Sequence, residues 1–361
     1  MGILVPHIHL FCLEQKRNPV IKGDVLTLGQ QVVFSTFPNI KSILRFHDLP
    51  IADLPPGFDT ESKVPGWART PNAQSVFTLL GADRVYATDI ATRENPDFLI
   101  DLNEPVDPSY HEKFDTIVDV GTLEHVFDIP TALANIVKMC RNGGSVILIN
   151  PASGAIDHGF YQFSPTLYFD YFGSNGFSVV GCYLHEPLRW YPLGERKGRI
   201  LKYEYVDDEI PITSRTGFEV AFFATKNASR DTDGRIKPLQ SLYRNLWNAE
   251  QGTDEAFFPS DEKVETGGSP RERLTGIVKK IALIARIPIP RTEWVRLILS
   301  LQFRSAVAKL VPILVDRTKR WHPLWLNTYL FNRGRGKNIR CIATYNASGR
   351  IRLRRSSRRS V

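Results

Sequence analysis

The chain has 361 residues, 42% of them hydrophobic, and a formal net charge of +8. This length accommodates one large domain with a smaller one, and the hydrophobic fraction fills a core, which excludes a disordered or fibrous protein. The four cysteines, Cys12, Cys140, Cys182 and Cys341, form no CxxC pair or zinc spacing. A disulfide framework and a metal site are therefore disfavoured, and a reducing compartment is expected.

The beginning of the chain shows no basic segment followed by a cleavage motif, and no charge-free apolar run is long enough to cross a bilayer. We therefore expect a cytoplasmic protein.

The charge is divided unevenly along the chain. Residues 1–225 contain 18 Lys and Arg against 27 Asp and Glu, a net −9, whereas residues 226–361 contain 28 against 11, a net +17. Such asymmetry indicates that the basic part meets a polyanion, either a membrane surface or a nucleic acid.

The first hundred residues predict an α/β pattern in which two strands end at acids. Asp24 to Gly29 is a buried strand ending at a glycine, Arg84 to Thr88 ends at Asp89, and Phe98 to Ile100 ends at Asp101. The segments around them predict helices over 8–20, 42–54 and 73–80 and an irregular insertion over 54–71.

The segment 114–151 is the most informative, because it predicts a strand, a loop, a helix, a Gly-Gly turn and a buried strand. Thr116 to Val120 is β-branched, Ile129 to Met139 has apolar residues at helical spacing, and Val146 to Ile149 is apolar throughout. Glu124 and His125 follow the first of these strands, where open parallel sheets hold their ligands.

Two further strands, over 177–184 and 219–225, follow a helix over 165–175 and are expected to pair antiparallel. Five strands linked through helices and then an antiparallel pair predict a doubly wound seven-stranded α/β sheet. We assign residues 1–226 to this domain.

The remaining residues have a different character. Residues 227–270 are predicted to be a linker or mobile segment, 271–345 a basic amphipathic helical region with helices over 273–287 and 294–315, and 346–361 a disordered basic tail.

The order of these features resembles that of class I S-adenosylmethionine-dependent methyltransferases, which have a Rossmann-like sheet whose last strand pair is reversed. The resemblance implies that Asp89 binds the ribose of the methyl donor through two charge-assisted bonds. It also implies that Asp101 meets the adenine amino group, and that Asp119 to Thr122, including Gly121, line the donor pocket.

The chain departs from that family at the turn after the first strand, LTLGQQV, which carries Gly29 where several glycines are usual. Gln30 and Gln31 would project side chains where glycine lets the backbone approach the donor. Either these amides replace backbone contacts to the donor, or the pocket is impaired.

The segment HGFYQFSP after the fifth predicted strand crowds aromatic rings around His158. It resembles loops of methyltransferases from bacterial surface-polysaccharide pathways, which implies that Tyr161 and Phe163 contact a sugar or another ring. A neutral imidazole titrates near physiological pH, so His158 or His125 would take the proton of a hydroxyl acceptor, with Glu124 orienting the substrate or a histidine. An aromatic loop that only closes the core is the alternative.

The leading hypothesis is an S-adenosylmethionine-dependent O-methyltransferase acting on a sugar of a glycan or glycolipid. A binding or scaffold protein with an impaired methyltransferase fold is the main alternative. A nicotinamide-dependent oxidoreductase ranks low, because LGQQVVF lacks the GxGxxG turn.

For the basic C-terminal region we expect peripheral attachment to an anionic membrane, on the inner face, because Lys and Arg flank apolar helical positions. Packing on the first domain is the alternative. Nucleic-acid binding is disfavoured, since no nucleic-acid module is present in the sequence.

Overall fold

The computed structural model describes the chain over residues 2–51, 53–54, 60–61, 70–187, 198–205, 212–214, 216–228 and 233–244, and describes the backbone over 339–345 and 351–353. Residues 1–208, 216–254 and 338–361 belong to one compact unit, and residues 209–215 and 255–337 to another. The elements and sites below all belong to the first unit.

The strands are β1 (Gly2–Ile3), β2 (Gly23–Leu28), β3 (Val32–Val33), β4 (Ala82–Asp89), β5 (Phe98–Leu99), β6 (Phe114–Val120), β7 (Cys140–Ser153), β8 (Phe177–Pro187), β9 (Gly198–Tyr203), β10 (Phe218–Lys226), β11 (Ile339–Tyr345) and β12 (Ile351–Leu353). The α-helices are α1 (Val5–Arg17), α2 (Phe37–Phe46), α3 (Ala73–Leu79), α4 (Ile129–Met139) and α5 (Pro165–Ser174).

Ten of these strands form one sheet in the order β12-β11-β9-β8-β10-β7-β6-β2-β4-β5. The strands β5, β4, β2, β6 and β7 are mutually parallel, whereas β10 runs antiparallel between β7 and β8. The carboxyl ends of five parallel strands therefore meet at one edge, and β2 lies at the point where the strand order reverses. That edge is where doubly wound sheets bind ligands.

The sheet is covered on both faces. On one face, α1, α2 and α3 pack Phe11, Ile43 and Phe77 against alternate residues of the central strands such as Ile147 and Phe223. Adjacent residues on a strand point to opposite faces.

On the opposite face Phe222 of β10 meets the rings of α5, with centroids 5.5 Å from Tyr168 and 5.6 Å from Phe172. The apolar runs of β6, β7 and β10 are thus explained by burial on both sides.

The helices begin where the sequence supplies a cap. Asp128 accepts the Thr131 N–H at the start of α4 and Ser164 accepts the Thr166 N–H at the start of α5, and each helix has a proline in its first turn. Both features stabilise a helix start and help fix the loops that precede α4 and α5.

The predicted doubly wound α/β sheet with an antiparallel pair is confirmed. Some boundaries differ: the first helix spans Val5–Arg17, the second Phe37–Phe46, and β7 begins at Cys140 and runs through the predicted Gly-Gly turn. Gly143, at φ +76°, lies within that strand.

The expected helical region and disordered tail are wrong at residues 339–345 and 351–353, which are strands that extend the sheet beyond β9. The isoleucines, threonine and tyrosine of IRCIATY and the apolar-basic alternation of IRL favour a strand over a helix. The predicted helices over 273–287 and 294–315 lie outside the described residues.

Part of the predicted linker is also packed structure. The backbone over 233–244 is bonded to α5: the Tyr171 hydroxyl donates to the Gly234 carbonyl over 2.7 Å, and the Ser241 N–H donates to the Asp170 carboxylate over 3.1 Å. Polar groups of α5 therefore order a segment whose composition alone predicts mobility. In the described parts of the chain, no helix combines the length and the hydrophobicity needed to span a bilayer.

Candidate active site

The turn after β2 contacts the end of β4 and the loop after β6. Gly29 has φ +75°, and its N–H donates to the Thr88 carbonyl over 2.7 Å. A Cβ at this position would lie 2.9 Å from Oγ1 of Thr122, so the residue must be glycine for both backbone and packing reasons.

The two glutamines of this turn bond to the backbone. The Gln31 side chain is buried and donates to the Leu28 carbonyl over 2.7 Å, while Gln30 donates to the Asn95 carbonyl over 3.4 Å. Gln31 thus folds back under its own turn and does not project from the sheet edge.

Asp89 and Asp101 end the adjacent strands β4 and β5. Oδ1 of Asp89 accepts the Ala91 N–H over 3.2 Å, and its other oxygen accepts no hydrogen bond from the described residues. Oδ1 of Asp101 accepts the N–H and the side-chain amide of Asn103, each over 2.9 Å, and these bonds lower the pKa of Asp101. Asp89 therefore has an oxygen to offer a ligand, whereas the carboxylate of Asp101 also shapes its own loop.

A buried polar network lies under the loop after β6. Asn150 is central to it: its amide nitrogen donates to Oδ2 of Asp119 over 2.6 Å and to Oε2 of Glu124 over 3.1 Å, and its oxygen accepts the Tyr168 hydroxyl over 2.5 Å. Oδ1 of Asp119 accepts the Thr122 N–H over 2.9 Å. Both oxygens of Asp119 are thus occupied within the protein.

Two carboxyl groups in this network carry raised pKa values. Burial, the larger cause, raises the pKa of Glu124, and the nearby charge of Asp119 raises it further. Burial raises the pKa of Asp119 against the bonds from Asn150 and Thr122, which lower it. The carboxyl groups of Asp119 and Glu124 both accept the Asn150 amide, so they lie close together. A negative charge on one therefore disfavours a negative charge on the other.

Glu124, His125 and His158 come together at the surface end of the network. Nε2 of His158 lies 3.6 Å and Nε2 of His125 lies 4.0 Å from Oε1 of Glu124. The glutamate is fully buried, whereas the side chains of His125 and His158 are 46% and 36% exposed. Burial, and then proximity to His158, lowers the pKa of His125.

The loop after β7 is attached to the Glu124 backbone. The N–H groups of Phe160 and Tyr161 donate to the Glu124 carbonyl over 2.7 and 3.2 Å. A Cβ on Gly159 would lie 2.7 Å from the same oxygen. These contacts hold His158 beside Glu124.

The aromatic residues of this loop divide into two groups. Phe163 is buried and stacks on Tyr168 with ring centroids 5.6 Å apart, so its ring packs in the core, and its contact with a substrate stays a prediction. Phe160 is 67% exposed and packs edge-on against Phe127, which is 69% exposed, while Tyr161 is also exposed and donates to the Phe127 carbonyl over 2.8 Å. Exposed apolar surface therefore borders the Glu124 cluster.

The structure thus brings together Gly29, Asp89 and Asp101 on one stretch of the edge and Glu124, His125 and His158 on another. Sequence reasoning missed Asn150 and Tyr168. A polar residue at the end of the apolar run VILIN is the signal that could have identified Asn150, whereas nothing local marks the Tyr168 hydroxyl.

A second cluster of two histidines and a glutamate lies at the same edge, on the face covered by α1. Oε2 of Glu219 accepts Nδ1 of His185 over 2.5 Å and Nε2 of His7 over 3.2 Å. Nδ1 of His7 accepts the Leu4 N–H over 3.2 Å. Bonds from the two imidazoles hold the pKa of Glu219 well below its ordinary value despite burial, which acts to raise it.

No family model and no curated protein matches the chain. Among solved structures, N-methyltransferase NodS from Bradyrhizobium japonicum WM9 is 11% identical over 62% of this chain and 96% of its own, with a TM-score of 0.33. A putative S-adenosylmethionine-dependent methyltransferase from Listeria monocytogenes is 12% identical over 61% and 98%, also with a TM-score of 0.33. Likenesses of this size do not define an activity.

Proposed function

We propose that the protein is an S-adenosylmethionine-dependent methyltransferase that methylates a hydroxyl group, most simply on a sugar of a glycan or glycolipid. The observation that carries the proposal is the strand order β5-β4-β2-β6-β7-β10-β8, with β10 reversed and acids ending β4 and β5. This is the arrangement expected of the class I methyltransferase family.

The residues at the edge fit the methyl donor. Asp89 offers a carboxylate oxygen that no described residue bonds, and it follows the strand next to the Gly29 turn. Gln31 is folded away from the edge, so the turn can approach a ligand although it has one glycine. Gly29, Gln30, Asp89, Asp101 and Gly121 would hold the donor, and Asp119 would support the loop behind it.

The bound donor would supply an electrophilic methyl group on sulfur. An acceptor hydroxyl would take that methyl group through its oxygen and would give up its proton. The O–H proton needs an acceptor, and His158 lies at the surface end of the Glu124 network with its side chain part-exposed. The exposed rings of Phe160 and Tyr161 would receive the apolar face of a sugar ring.

Calorimetric titration with S-adenosylmethionine tests the proposal. Asp89→Ala should weaken donor binding by about 1.5 to 3 kcal/mol, the cost of losing a hydrogen bond to a charged group. Asp83→Ala is the matched control, because Asp83 is exposed at the other end of the same strand. No binding by the unmodified protein would favour the scaffold alternative, and unchanged affinity in Asp89→Ala would remove Asp89 from the site.

The basic C-terminal region supports a second, separate proposal, peripheral attachment to anionic membranes from the cytoplasmic side. Its charge carries this proposal, since residues 226–361 have a net +17. Attachment to anionic vesicles should weaken as salt is raised, because salt screens exposed charges. Residues 339–353 include strands of the sheet, so charge-removing variants such as Lys279→Gln with Lys280→Gln are a better test than truncation. The proposal would be contradicted if co-sedimentation with anionic vesicles changed neither with salt concentration nor in these variants.

A further inference from the structure

The carboxylate of Glu124 is only half satisfied. Its Oε2 accepts the Asn150 amide over 3.1 Å, but its Oε1 is buried and has no hydrogen-bond partner among the residues that the structure describes. Leaving a buried acceptor unpaired destabilises a protein, and more so when the group is charged. Oε1 of Glu124 is therefore available to bind a further group.

The groups closest to meeting that need are two imidazoles. Nε2 of His158 and Nε2 of His125 lie 3.6 and 4.0 Å from Oε1, just beyond hydrogen-bond distance of the same oxygen. One ligand atom from each of the three residues lies within 4.8 Å of the others. Donor atoms that bind one ion at about 2.1 Å with tetrahedral angles stand about 3.4 Å apart.

From this geometry we propose that Glu124, His125 and His158 bind one divalent transition-metal ion such as Zn²⁺. Two imidazole nitrogens and one carboxylate oxygen are a ligand set suited to Zn²⁺ and its first-row neighbours. A small closure of the two rings onto Oε1 completes the coordination. Cysteine spacing could not reveal this site, because none of its ligands is a cysteine.

The surroundings of the triad are those of a supported metal site. Asn150 fixes the second oxygen of Glu124, and Asn150 is itself held by the Tyr168 hydroxyl over 2.5 Å. The Glu124 carbonyl accepts the N–H groups of Phe160 and Tyr161, which follow His158 in the same loop. Ligands fixed in this way by a second layer of hydrogen bonds are characteristic of metal centres.

Three protein ligands leave coordination positions open to solvent, where His125 and His158 are part-exposed. An acceptor hydroxyl bound to the ion would lose its proton to water more readily, because a bound cation lowers the pKa of a coordinated O–H group. This role rests on the proposed methyltransferase function, whereas metal binding itself does not. With an ion bound, His158 holds the metal and is not the free base.

Titration of the chelator-treated full chain with Zn²⁺ and, separately, Co²⁺ tests the proposal. One equivalent of Zn²⁺ should bind, and one equivalent of Co²⁺ should give visible d–d absorption that Zn²⁺ abolishes. Glu124→Gln and His158→Ala should each weaken Zn²⁺ binding at least tenfold. His111→Ala, which removes an exposed histidine elsewhere, should leave the affinity unchanged.

Two results would overturn the proposal. One is the absence of both Zn²⁺ binding and Co²⁺ absorption in the unmodified chain, a measurement that depends on no variant folding. The other is unchanged affinity in a folded Glu124→Gln protein, since two exposed histidines alone would then explain the binding. Donor affinity distinguishes the two functions: Asp89→Ala should weaken donor binding without affecting Zn²⁺, and failure of one titration leaves the other valid.

Discussion

Two clusters of the same composition, two histidines and one glutamate, lie at one edge of the sheet on opposite faces. In the cluster of Glu219, His7 and His185, hydrogen bonds join both rings to one carboxylate oxygen, and Nδ1 of His7 accepts the Leu4 N–H. In the cluster of Glu124, His125 and His158, neither ring comes within hydrogen-bond distance of the carboxylate.

The difference shows that residue composition does not identify a site. In the first cluster, Nδ1 of His7 accepts the Leu4 N–H and its Nε2 bonds to Glu219. Both ring nitrogens of His7 are thus in use, so His7 has no nitrogen lone pair left for a metal. The second cluster keeps an unpaired buried oxygen and part-exposed rings. We therefore assign the Glu219 cluster to stability and the Glu124 cluster to chemistry.

The strongest test of this contrast is the loss of each carboxylate. Glu219→Ala should lower the free energy of unfolding by about 3 kcal/mol, because it leaves two buried imidazoles without their partner. Glu124→Gln in metal-free protein should change it by less than about 1 kcal/mol, since the lost oxygen has no hydrogen bond. Urea denaturation measures both, with exposed Glu104→Ala as a control. Equal losses in the two variants would break the comparison.

Gly159→Ala separates the position of the loop from the identity of its ligands. The added Cβ would lie 2.7 Å from the Glu124 carbonyl and must displace His158 from its place beside Glu124. We expect Zn²⁺ affinity to fall about tenfold, or about 1.4 kcal/mol, while every ligand remains present. Calorimetry measures the change, and an unaltered affinity would show that the loop does not position His158.

Tyr168→Phe examines the support behind the open cluster. Loss of the bond to Asn150 should cost about 1 kcal/mol of stability and should weaken Zn²⁺ binding less than Gly159→Ala does. Tyr171→Phe is the matched control, because Tyr171 lies on the same helix as Tyr168 but its hydroxyl bonds to the Gly234 carbonyl. It should affect stability but not the metal.

Acid titration examines a third histidine environment. His9 and His47 are buried and joined by a 2.9 Å bond, and burial, the larger cause in each, lowers the pKa of His9 to about 3 and that of His47 to about 4. An unfolded histidine titrates near about 6.5. The folded state therefore takes up fewer protons, so stability is complete above about pH 6.5 and falls as pH drops toward 4.

His47→Gln should make the unfolding free energy less dependent on pH between about 6.5 and 4. Denaturation at several pH values measures the slope. An unchanged slope would show that this pair is not the group responsible.

The sequence predicted the sheet well, because strands buried on both faces, such as β6, β7 and β10, have long apolar runs. It also predicted Glu124, His125 and His158 as site residues, and these three lie close together because the loops after parallel strands meet at one edge; their role stays a prediction. It could not reveal Asn150 bridging two acids, the Phe163 ring turned into the core, or the pairing of Glu219 with His7. These depend on which face a side chain occupies and on partners distant in the chain.

The pairing of β9 with β11 has a consequence for how the protein is made. β9 can pair with β8 as soon as both have been synthesised. Its other side bonds with residues 339–345, so on the ribosome that side stays unpaired until everything between them has been synthesised. The strands from β2 to β10 can assemble earlier, because their partners are already present. Until β11 arrives, an exposed strand edge is available to other nascent chains. The opportunity for misassembly during synthesis is therefore concentrated at this end of the sheet, away from the ligand edge around Gly29.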